Sequence, residues 1–116
     1  MELRPEVSAA ILDALTPQER QGAIVYVAEK PLVDGPELTA GGGAVAIGIE
    51  TVVVFVDPTP LANWSHPARY LLVDDETQDI RSIPDSVPPF RVDNAQMWRV
   101  FYKAPDVPDV AVPGWA

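Results

Sequence analysis

The chain contains no cysteine, a single histidine and only eight basic side chains, and each shortage removes a class of chemistry. Without cysteine there are no disulfides, thiolate nucleophiles, zinc ribbons or iron-sulfur clusters. One histidine cannot complete the common zinc-binding sets, which leaves only carboxylates for hard ions, so neither a metal nor another cofactor is expected. Seventeen acidic residues outnumber the basic ones and give a formal charge of −9. Such a field repels phosphate backbones and anionic membrane surfaces at long range, which argues against nucleic acid and membranes as partners. It favours a protein partner of basic character, although acidity is also a common route to solubility. Long hydrophobic runs are missing as well. The apolar stretch 52–56 falls far short of the ~20 residues that span a bilayer. Met1 to Glu6 show no basic region leading into an apolar one, so a secretory signal is not expected, and the anticipated location is the cytoplasm.

What is present suits one domain. The 116 residues are 47% hydrophobic and 22% charged, ordinary values for a globular protein. A chain of this length supports a single core. Thirteen prolines are about twice the average usage of ~5%, which predicts short elements joined by fixed turns. The division expected is a domain over 1–104 followed by a proline-rich tail over 105–116.

Pro5 suits a first helical turn, and Val7, Ile11, Leu12 and Leu15 share one helical face, predicting a helix over 5–15. Thr16-Pro17-Gln18-Glu19 is a capping-box pattern that starts a second short helix, with Gly22 as its end. Residues 23–29 read as a strand rich in β-branched side chains and closed by Pro31. Pro36 and Gly41-Gly42-Gly43 predict a loop over 32–43. From 44 to 56, alternation and then a continuous apolar run predict a central strand that ends buried on both faces. Asp57-Pro58-Thr59-Pro60 must terminate it. Residues 69–73 and 80–83 predict a hairpin, and a further strand or short helix is expected after Asp93, through 97–102. The predicted fold is α+β: one or two N-terminal helices packed on a twisted antiparallel sheet of four to five strands.

Reactive and recognition-type side chains concentrate in the segment 57–70. His66 is the only side chain whose ordinary pKa lies near neutrality. Ser65 is its sequence neighbour, and neighbours in an extended segment point to opposite sides, so the two make a poor catalytic dyad. No Gly-x-Ser-x-Gly elbow is present. The structural role open to His66 is a ring hydrogen bond to Asp57 or to a backbone carbonyl. Asn63, Trp64, His66, Arg69 and Tyr70 together offer a recognition surface, since tryptophan and arginine are enriched where partners bind, while Trp64 can equally anchor the loop. Asp74, Asp75, Glu76 and Asp79 lack the alternation and the glycine of a calcium loop and read as a solvated turn. Gly41 to Gly43 precede a strand and have no lysine nearby, unlike a phosphate cradle.

The hairpin pattern from Arg69 to Ile83, an apolar strand, an acidic turn and a second strand carrying an arginine, resembles units in many small modules, including protease propeptide and inhibitor domains. It is too common to assign a family. Two functions remain in view. The first is a non-enzymatic binding module, of accessory, inhibitory or immunity type, that docks through segment 58–70 and an acidic surface. The second is a small enzyme or ligand-binding domain with His66 as acid or base near Asp57 and Tyr70. The oligomeric state is open.

Overall fold

A computed structural model of the chain describes residues 3–28, 37–40, 43–46, 51–60, 67–85 and 98–108, with the backbone alone at 37–40 and 43–46. Helix α1, Pro5–Ala14, begins with proline in its first turn, where the missing N–H costs nothing. It buries Val7 and Ile11 and stops where Leu15 turns extended. Helix α2, Pro17–Gly22, opens on the expected capping box. The Glu19 amide donates to Thr16 Oγ1 at 3.2 Å, and the Thr16 amide donates to Glu19 Oε1 at 2.9 Å. Thr16→Ala removes one acceptor and is expected to cost about 1 kcal/mol in a chemical denaturation. A loss of only a few tenths would show that the cap contributes nothing beyond packing.

Among the described residues seven strands follow: β1 Ile24–Ala28, β2 Glu37–Ala40, β3 Gly43–Ala46, β4 Thr51–Asp57, β5 Ala68–Asp74, β6 Ile80–Asp85 and β7 Trp98–Lys103. Five of them form an antiparallel sheet in the order β6-β5-β4-β1-β7. The α+β reading holds, and the second half of the strand expected over 44–56 is central, as β4. Two local expectations do not. The sequence pattern predicts loop over 32–43, yet β2 lies within it and pairs with β3 as a separate ribbon. Gly41-Gly42 between them is a two-residue hairpin signature, and treating the glycines only as breakers hides it. The single strand expected over 44–56 is two elements, β3 and β4, in different sheets. The meander covers β4, β5 and β6, whereas β1 sits between β4 and β7, a long-range pairing that no local pattern encodes.

Alternation along each strand sorts the side chains onto two faces. Val25, Val27, Val52, Val54, Val56, Leu71 and Val73 form an aliphatic face beneath Val7 and Ile11 of α1 and Leu15 just after it. The other face is aromatic, with Tyr26, Phe55, Tyr70 and Trp98 joined by Ile24, Val53, Leu72 and Ile83. Among the described residues the sheet has two edges, and each carries a device that discourages pairing. Strand β6 holds Pro84, which cannot donate to a ladder. In β7, Val25 pairs with Tyr102 and Tyr26 with Val100, leaving Phe101 as the extra residue of a bulge, and Arg99 and Lys103 add charge.

Candidate functional site

At one end of the sheet three strands meet in register, Ile24 facing Asp57 on one side and Lys103 on the other. Segment 58–67 departs from here and returns at β5. Its departure is stiff. Asp57 is buried, and its Oδ1 accepts from the Thr59 amide at 3.1 Å, closing a turn between Pro58 and Pro60. Burial, together with the negative charge of Asp57, pushes the Tyr26 phenol well above its ordinary pKa, so Tyr26 stays neutral at any working pH.

The return is held by Arg69. Its Nε donates to Glu19 Oε2 at 2.9 Å and its Nη2 to Glu19 Oε1 at 2.6 Å, a two-pronged pair. Nη2 also donates to the Ala14 carbonyl at 2.9 Å, and Nη1 to Ser82 Oγ at 3.2 Å. Arg20 Nη2 donates to the Leu12 carbonyl at 2.7 Å. The last turn of α1 has no basic residue of its own. Two arginines from later in the chain supply the donors and the positive charge that its carbonyl end requires. Burial raises the pKa of Glu19, but hydrogen bonds from Arg69 and Thr16 and the charge of Arg69 outweigh it, and the carboxyl lies below its ordinary value of 4.5.

Beside the departing segment lies an open groove of about 310 Å³, lined by Gln21, Gly22, Thr59, Pro60, Asp106, Val107 and Pro108. Its far wall is a turn in which the Val107 amide donates to the Ala104 carbonyl at 3.0 Å and the Ala104 amide to the Ala23 carbonyl at 3.0 Å. Lys103 Nζ donates to the Val107 carbonyl at 2.7 Å and braces the same turn. The Tyr102 hydroxyl donates to the Arg20 carbonyl and ties the end of α2 to β7. A second hollow, about 450 Å³, lies among Leu3, Pro5, Ser8, Arg99 and Phe101.

Of the five residues proposed as a recognition surface, Asn63, Trp64 and His66 lie outside the described residues. Arg69 and Tyr70 are described, and they do not share a face. Tyr70 is 1% exposed and packs on Phe55 within the aromatic layer. Arg69 is turned to the helices, with its guanidinium engaged by Glu19, Ala14 and Ser82. The anchoring role of Glu19 has no local signature. Its place in the capping box is legible in the sequence, but its partner is 50 positions away. The groove has none either, because Gly22, Pro60 and Val107 come from three separate parts of the chain.

The acidic turn after β5 is closed by its own side chains. Asp74 Oδ1 accepts from the Glu76 amide at 2.8 Å and the Thr77 amide at 2.9 Å, and these bonds hold its pKa below the ordinary value. Gln78, at φ 61°, completes the turn. Among the described residues no three histidine or carboxylate side chains are grouped to hold a metal ion, and no helix is long and apolar enough to cross a membrane. No protein-family model matches the chain, and neither a curated protein nor a solved structure shows significant similarity to it.

Proposed function

We propose that the chain is a non-enzymatic protein-binding module, of accessory, inhibitory or immunity type, that meets its partner through segment 58–70 and its acidic surface. The observation that carries this reading is the fixing of that segment at both ends. The Asp57–Thr59 turn and two prolines hold one end, and the Arg69–Glu19 pair holds the other. Ends fixed in this way lower the conformational entropy that their residues lose on binding. Its sequence offers Trp64 and His66 as contacts, and the net charge of −9 steers a basic partner toward them. Arg69 and Tyr70 serve by positioning the segment.

The test is affinity capture from the native source with wild type beside Trp64→Ala/His66→Ala, the retained proteins being identified by mass spectrometry. Trp64→Ala is expected to weaken the complex by ~1–4 kcal/mol while leaving thermal unfolding unchanged. Equal retention by both proteins would remove segment 58–70 from the interface.

A second reading, a small ligand-binding or catalytic domain with His66 as acid or base, draws on the buried carboxylate of Asp57 at the root of the same segment. It predicts that the histidine titration, followed by NMR, moves when a ligand is added. A histidine titrating near ~6.5 through a small-molecule screen, with no displacement, would retire it.

A further inference from the structure

We infer that the groove between Gly22, Thr59, Pro60, Asp106 and Val107 receives a lysine or arginine side chain from an extended segment of the partner. This inference rests on the binding-module reading and names the residue class the module takes.

The lining sets the class. Pro60, Val107 and Pro108 supply apolar wall, and Asp106, exposed, is the one charged side chain among the described lining residues. A long aliphatic stem ending in a cation matches that distribution, because the methylenes lie on the wall while the head group stays hydrated beside the carboxylate. A volume of about 310 Å³ is at the lower end of the ~300–1,000 Å³ range of ligand pockets, room for one long side chain rather than a folded element. The excess of nine negative charges concentrates cationic segments near the surface. Lys103, whose ammonium is bonded to the Val107 carbonyl, offsets part of the pull of Asp106. The stem therefore supplies the larger share of affinity and the head group the selectivity. The groove adjoins the stiff turn of Asp57 and Thr59, so a side chain seated there aligns its backbone with the start of segment 58–70.

Gly22 gives a direct test. Among the described residues, a β-carbon added there meets the Pro58 carbonyl oxygen alone within 4 Å, at the ordinary contact distance of 3.7 Å. Gly22→Leu can thus fill the groove without a clash at its root, and unfolding curves verify that the variant folds. Gly22→Ala, a smaller change, is the control.

The probes are capped tripeptides with a central lysine, arginine, norleucine or glutamate, titrated into the ¹⁵N-labelled full chain. Lysine and arginine peptides are expected to give saturable shifts at the Gln21, Gly22, Thr59 and Val107 amides, with dissociation constants on the order of millimolar. Norleucine should bind about threefold more weakly, Asp106→Asn should lose a similar factor for the cationic peptides, and the glutamate peptide should not bind. Gly22→Leu should weaken the cationic peptides by about tenfold or more. The inference is overturned if the cationic peptides give no saturable shifts at these amides, if norleucine matches them, or if Gly22→Leu leaves their binding intact. Trp64 and His66 are untouched in Gly22→Leu. A partner that this variant retains, and that Trp64→Ala/His66→Ala loses, would sink the groove and leave the binding module standing.

Discussion

Arg69→Ala is expected to lower stability by about 3 kcal/mol, read as a shift of the denaturation midpoint with unchanged slope and a fall of roughly 10 °C in melting temperature. The reason is the position of the carboxylate left behind. The Glu19 side chain is 9% exposed and that of Arg69 is 22% exposed, so the pair is partly screened and the expectation sits at the lower end of the ~3–5 kcal/mol typical of a broken buried pair. The same substitution strips the donor from the Ala14 carbonyl, so the end of α1 loosens together with the start of α2. Glu19→Gln should destabilise in the same sense. The double variant Glu19→Gln/Arg69→Met should cost less than the sum of the single ones, because neither charge is then stranded. A loss under about 1 kcal/mol for Arg69→Ala would mean that the network is no stronger than a surface ion pair.

The pH dependence follows from the lowered pKa of Glu19. With its folded value below the ordinary 4.5, the stabilisation from the pair is complete above that ordinary value and is lost as pH falls through the folded one. Arg69→Ala leaves burial as the dominant influence and moves Glu19 upward. Wild type should therefore lose the contribution of Glu19 as pH falls, while the variant, whose buried carboxylate is relieved by taking up a proton, should not. The gap between the two proteins should be widest at neutral pH and narrow in strong acid. A gap that stays constant from neutral pH into strong acid would separate the network from the charge of Glu19.

Phe55→Ala should be the costliest single truncation in the described core, at about 4 kcal/mol. Phe55 is fully buried on β4, the middle strand of the five, so little can collapse into the space it leaves. Its ring centroid lies 5.1 Å from that of Tyr70 at 57° and 6.4 Å from that of Tyr26 at 35°, tilted arrangements that add to simple area burial. Phe55→Leu keeps most of the volume and should cost about 1–2 kcal/mol. Urea or guanidinium titrations of both variants provide the measurement. Losses below about 2 kcal/mol for the alanine variant would show that the aromatic layer repacks.

The short-range chemistry of this chain is legible in the order of its residues. Pro5 and the spacing of Val7, Ile11 and Leu15 define the first helix, and Thr16 with Glu19 defines the second, because a cap acts within one turn and its residues are sequence neighbours. The runs in 24–28 and 52–57, the prolines after Asp57 and the acidic turn after Asp74 are local in the same sense. Composition alone also removes disulfides, thiolate chemistry and histidine-cysteine zinc sets. The tertiary structure decided what depends on distant pairings. It set β1 between β4 and β7, placed β3 and β4 in separate sheets, buried Tyr70 on one face of β5 and turned Arg69 through the other to Glu19. It also brought Gly22, Pro60 and Val107 to one groove. Residues this far apart meet only after the sheet closes, when the gain from burying both its faces outweighs the entropy of joining them, and no local pattern records which strands will be neighbours.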